Sequence, residues 1–169
     1  TEDRFSVKDQ DSLVLINGPG EYGVADFDVA GFSALRHIDG EGDEKLSTIY
    51  RIEVGSEARI GLLGNVAAKI SDEQYEKIGV VDILIIPVGG NGYTLDAKDA
   101  AVIVKNIEPK VVIPVSYSDS GLKYEVPQDD VELFVKELGI QNVETVSRYK
   151  VKNASTLPDV LTVIKIERS

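Results

Sequence analysis

Residues 80–117 constrain this chain more than any other stretch. Residues 80–87 are almost continuously apolar, the pattern of a strand buried on both faces rather than on one. Gly89-Gly90-Asn91-Gly92 then turns the chain, and Asp96 stands as N-cap for a helix over residues 97–106, with Pro109 just beyond its end. Residues 110–115 form a second apolar run that stops at Ser116. Strand, helix and strand at this spacing predict two adjacent, parallel, central strands joined by a right-handed crossover. An all-β fold cannot accommodate that unit, so the chain is α/β, a mixed sheet flanked by helices.

The remaining elements read outward from this unit. Residues 13–17 predict a short strand closed by the Gly18-Pro19-Gly20 turn, and residues 27–32 alternate as a half-buried strand. Residues 47–54 and 58–63 predict a hairpin across Gly55-Ser56-Glu57, and residues 39–44 a solvated acidic loop. Ser71 and Gln74 have the spacing of a capping box, and Gly79 closes that helix. Residues 129–138 predict an amphipathic helix stopped by Gly139, followed by terminal strands over 143–151 and 161–166. No repeat or linker divides residues 1–169, which predicts a single domain.

Composition narrows function. The net charge of −11 disfavours a nucleic-acid backbone as partner. No apolar run reaches the ~18–20 residues of a membrane span, and Asp82 and Pro87 interrupt the longest. With no secretory leader in the sequence, a cytoplasmic protein is expected. Cysteine is absent, so there is no thiolate nucleophile and no Cys-based zinc site. His37 is the single histidine, and one imidazole cannot by itself build a histidine-rich metal centre.

Several segments, in order, resemble the second half of the metallo-β-lactamase fold, in its zinc-dependent hydrolase-like branch. They are Gly18-Pro19-Gly20-Glu21-Tyr22, Ile70-Ser71-Asp72-Glu73-Gln74, Pro87-Val88-Gly89-Gly90, Thr94-Leu95-Asp96-Ala97-Lys98 and Ser155-Thr156-Leu157-Pro158. The resemblance implies an αββα sandwich, of which this chain supplies a second half or an incomplete version. It also implies a metal site on loops at one rim, but the H-x-H-x-D-H motif that supplies most ligands in that family occurs nowhere here. The position of the bridging aspartate is Asn65, in a Gly64-Asn65 pair, and that of the last histidine is Ser116. A neutral amide or hydroxyl replaces poorly an anionic bridge or an imidazole. His37 falls near a third family histidine, although a surface or packing role is the simpler reading. Asn65 and Ser116 are expected at one rim, joined through water or a direct hydrogen bond.

The other polar groups also have plain explanations. Gly89, Gly90, Asn91 and Gly92 have the composition of an anion cradle, but Asp96 places negative charge there and no P-loop lysine follows. Glu21, Asp96 and Ser116 are the only groups on which metal-free hydrolysis could rest, and Ser116 has no histidine partner in the sequence. Glu21, Gly89, Gly90, Asn91, Tyr93 and Asp96 form a candidate pocket, with Tyr22 and Tyr117 as rim residues. No residue is assigned as catalytic or cofactor-binding. The first reading is a metal-free binding or assembly module with no cofactor of its own. The alternative is the second half of a zinc-dependent hydrolase whose ligands come from a separate or removed segment. Either reading predicts a homodimer or a complementing chain as partner, meeting through sheet faces or edges.

Overall fold

The structure, a computed structural model, describes residues 14–37, 46–55 and 58–168. Along them run β1 (Gly20–Val24), β2 (Phe27–Leu35), β3 (Leu46–Val54), β4 (Ala58–Leu63), α1 (Asp72–Ile78), β5 (Ile83–Pro87) and α2 (Ala97–Ile107). They are followed by β6 (Val111–Val115), α3 (Val131–Leu138), β7 (Val143–Val146), a 3-10 turn at Ala154–Thr156 and β8 (Thr162–Ile166). All eight strands join one sheet in the order β1-β2-β3-β4-β5-β6-β8-β7. The first four are antiparallel neighbours, and from β4 onward every pairing is parallel. The two apolar runs lie side by side as β5 and β6, with Ile85 beside Ile113. The α/β class with a mixed sheet and flanking helices is therefore present, as one sheet with its helical layer.

The helices share one face of the sheet. Ile78 of α1, Ile103 and Val104 of α2, and Phe134 and Leu138 of α3 pack with Ala34, Ile49, Leu63, Leu84, Ile86, Val112 and Val163 into a continuous core. Strand alternation then assigns Tyr50, Ile52, Ile60, Leu62, Ile85 and Ile113 to the opposite face. Part of that face is covered by the segment after β7, through Tyr149, Val151, Ala154 and Leu157.

Local signals hold best where side chain and backbone satisfy each other. In the capping box of α1 the Gln74 amide donates to Ser71 Oγ at 3.2 Å, and the Ser71 amide to Gln74 Oε1 at 2.8 Å. Four expectations change. Val14–Asn17 is no strand, and its Val14 and Leu15 are 68% and 49% exposed; Leu13 lies outside the described residues. An apolar run becomes a strand only where a neighbour takes its backbone hydrogen bonds, and here the ladder starts at Gly20. Asp96 does occupy the N-cap of α2 but makes no side-chain cap bond. The helix expected from residue 129 begins at Val131, with Asp130 as its N-cap, accepting from the Glu132 amide at 3.0 Å. The strand expected over 143–151 ends at Val146, because its only partner, β8, ends opposite it at Ile166. The acidic loop at residues 39–44, with Ser56 and Glu57 of the predicted hairpin turn, lies outside the described residues.

Asp82, which interrupts the longest apolar run, is buried and ties β4 to β5. Its carboxylate accepts from the Arg59 amide at 2.9 Å, from Arg59 Nε at 3.0 Å and from Arg59 Nη2 at 3.3 Å. Its backbone amide donates to Arg59 O, and its carbonyl accepts from Lys110 N and Val111 N, so one residue registers three strands. Among the described residues, no helix is long and apolar enough to cross a membrane.

Candidate functional site

The ends of β2, β4, β5 and β6 lie along one edge of the sheet, because β4, β5 and β6 are parallel and β2 runs with β4. Beyond its last strand residue, the chain after β2 crosses the start of β3 and pairs with the chain after β4. Arg36 bridges Val66, the Ala67 amide donates to Leu35 O at 2.7 Å, and the His37 amide donates to Asn65 O at 3.2 Å. In this antiparallel register His37 stands directly opposite Asn65, so the two side chains leave the same face as a cross-strand pair. His37 Nδ1 and Asn65 Oδ1 are both buried, and neither has a hydrogen-bond partner among the described residues. An unpaired buried polar atom costs about 1–3 kcal/mol, which marks the pair as a place built to meet a further polar group.

Ser116 ends β6 in a left-handed conformation (φ 53°) and is exposed. It shares the edge with Asn65, but β5 stands between their strands, a separation of about 10 Å at ordinary strand spacing. Of the two links expected between them, through water or direct, the direct hydrogen bond is not formed: Asn65 Oδ1 accepts from no group among the described residues. Ser116 instead borders a shallow groove of about 220 Å³ with Tyr117, Asp119, Leu122 and Tyr124. There the Tyr124 hydroxyl donates to Tyr117 O at 3.0 Å. Burial first, then the Asp119 carboxylate, pushes the Tyr124 pKa up, so it remains a neutral phenol.

The glycine loop after β5 is closed on itself. Gly90, Asn91 and Gly92 are all left-handed, at φ 63°, 57° and 75°, a sequence glycine and asparagine tolerate best. The Gly90 amide donates to Thr94 Oγ1 at 3.1 Å and to Leu95 O at 3.1 Å, and Asn91 Nδ2 donates to Asp129 Oδ1 at 2.9 Å. The Gly90 donor an anion would need is thus already used, and the Asp96 and Asp129 carboxylates flank the loop. Glu21 does not join this loop. It lies on β1, with β2, β3 and β4 between it and β5, in a polar groove with Tyr22, Asp28, Arg51 and Glu53. Glu21 therefore shares no pocket with Gly89, Gly90, Asn91, Tyr93 and Asp96, and Tyr22 folds back to donate to Gly18 O and Pro19 O. The sequence gives no local hint of the His37–Asn65 pair, because the register that joins them belongs to strands either side of β3.

The β-lactamase superfamily domain family matches residues 2–116, and the chain belongs to that family. A metal-dependent hydrolase of the UPF0173 group from Methanosphaera stadtmanae is 30% identical over 112 residues, covering 63% of this chain and 43% of that protein. A UPF0173 protein from Pyrococcus abyssi is 30% identical over 127 residues, covering 64% of this chain and 60% of its own. This chain therefore spans only about half the length of these relatives. Among solved structures, a zinc-dependent hydrolase of the metallo-β-lactamase superfamily from Thermotoga maritima superposes with a TM-score of 0.70. It is 24% identical, over 90% of this chain and 72% of the other. A metal-dependent hydrolase from Parabacteroides distasonis gives 0.58 at 13% identity, over 90% of this chain and 58% of the other. These likenesses show the fold. The metal named for the relatives does not fit the donors that the described residues bring to this edge. The edge offers one imidazole nitrogen, one amide oxygen and one hydroxyl, whereas a catalytic zinc takes three strong nitrogen, sulfur or carboxylate ligands. Among the described residues, no group of three or more histidine, aspartate or glutamate side chains could hold a metal ion.

Proposed function

We propose that this chain is a hydrolase-fold protein whose rim no longer holds a catalytic metal and which serves as a binding or assembly module. The observation that carries this reading is the composition of the edge at His37, Asn65 and Ser116. A single imidazole faces a neutral amide, with a hydroxyl beyond β5, so among the described residues of this edge no anionic ligand balances the charge of a divalent ion. Metal-free acyl transfer finds no support in the geometry either, since neither Glu21 nor Asp96 makes a hydrogen bond to Ser116 and a weak nucleophile needs an adjacent base. The unpaired His37 and Asn65 atoms suit a small polar group carrying both a donor and an acceptor.

Elemental analysis of the protein purified without chelators should find well below one zinc per chain, and calorimetric titration with zinc should show no tight site. Stoichiometric metal would overturn the reading. The double substitution Asn65→Asp and Ser116→His should still fail to give submicromolar zinc affinity, because β5 separates the two new ligands by about 10 Å at ordinary strand spacing. Tight binding in that variant would mean that other ligands on this chain complete a site.

A further inference from the structure

The glycine loop after β5 carries a reactive pair that its own fold restrains. Asn91 is followed by Gly92, and a glycine leaves the backbone nitrogen beside an asparagine side chain unshielded. Both residues are exposed, and the Gly92 amide makes no hydrogen bond among the described residues. A Cβ at Gly92 would meet nothing, so the approach to that nitrogen is open. Two features oppose reaction. Asn91 and Gly92 are the left-handed centre of a turn closed by the Tyr93 amide on Gly90 O at 3.2 Å, the signature of type I′. The Asn91 side-chain amide is also engaged, donating to Asp129 Oδ1 at 2.9 Å. The chain's other Asn-Gly pair, Asn17-Gly18, lies before β1 and outside any such turn.

We infer that Asn91 is a site of slow deamidation, that Asp129 is the clamp setting its rate, and that the product loosens the glycine loop. In the reaction the Gly92 nitrogen gives its proton to solvent and bonds to Asn91 Cγ. The Cγ–Nδ2 bond breaks, and the amide leaves as ammonia with a proton from water. Water then opens the cyclic imide at one of its two C–N bonds, leaving aspartate or isoaspartate at position 91. Closing the ring turns the Asn91–Gly92 peptide out of the type I′ geometry and takes the side chain off Asp129, so the loop must open locally first. The product cannot restore the clamp. A carboxylate has no N–H to donate, and it would face the Asp129 carboxylate, where Asp96 and Asp129 oxygens already flank Gly90. Conversion therefore cuts the side-chain link between the loop after β5 and the entry to α3, whose N-cap is Asp130. None of this depends on whether the rim binds a metal.

Peptide mapping by mass spectrometry, during incubation of the protein in mildly alkaline buffer, tests this directly. Asn91 should convert measurably in the folded protein, but about tenfold or more slowly than in the same protein unfolded in urea. Asp129→Ala should speed conversion in the folded protein about fivefold, the worth of one hydrogen bond. Asp129→Asn, which keeps an oxygen to accept that bond, should stay near the wild-type rate. Asn91→Asp supplies the product directly and should lower the melting temperature by about 2–4 °C. An Asn91 that never converts in the folded protein overturns the inference, and so do equal rates folded and unfolded or a rate indifferent to Asp129. An unchanged melting temperature in Asn91→Asp overturns the loosening of the loop. If Asp129→Ala fails to fold, the folded and unfolded wild-type rates and the melting of Asn91→Asp decide the matter.

Discussion

Gly89→Ala should destabilise the protein by about 3 kcal/mol or more, because overpacking against backbone leaves little room to relax. A Cβ at Gly89 would overlap the Ser116 carbonyl oxygen and Gln128 Oε1. The first belongs to the end of β6, which cannot retreat cheaply: the Val88 amide donates to Val115 O at 3.0 Å, and the Asp129 amide to Gly89 O at 2.7 Å. The substitution would therefore push apart the two strand ends that carry the glycine loop and Ser116. Gly92→Ala is the control. Its Cβ would meet nothing, and only the left-handed backbone at φ 75° opposes it, for a cost of about 1–2 kcal/mol. Urea denaturation of the two variants measures the difference. A Gly89→Ala protein as stable as the Gly92→Ala protein would show that the close approach of β5 and β6 is not rigid.

Asp82→Ala should cost about 3 kcal/mol, the low end for breaking a buried ion pair, since Arg59 keeps access to water once its partner is gone. The side chain of Asp82 is 7% exposed and that of Arg59 40%, and the Arg59 amide would lose its acceptor as well. Burial pushes the Asp82 pKa up, but hydrogen bonds and charge from Arg59 outweigh it and hold the carboxyl below its ordinary value of 3.8. A carboxyl depressed on folding contributes its stability above the unfolded value and loses it as pH falls through the folded one. The wild-type advantage over Asp82→Ala should therefore be full near neutral pH and shrink below 3.8. Denaturation curves at neutral and strongly acidic pH check this, and an advantage independent of pH would mean that packing, not charge, holds the site.

The sequence alone determined those features in which neighbouring residues dictate one another. The unit β5-α2-β6 was legible because two short apolar runs flank a helix, and such strands are stable only when covered on both faces. The capping box at Ser71 was legible because its donors and acceptors lie within one turn. That Asn65 and Ser116 carry an amide and a hydroxyl was equally plain, since the chemistry of a donor is a property of the residue. Tertiary structure alone decided the rest. It set His37 opposite Asn65, by folding the tail of β2 over the start of β3. It separated Glu21 from the glycine loop by three strands and ended β7 where β8 gave out. It also decided which side of each alternating strand would meet the helices. Alternation assigns residues to two faces, and it was the packing of α1, α2 and α3 that made one of them the helical side.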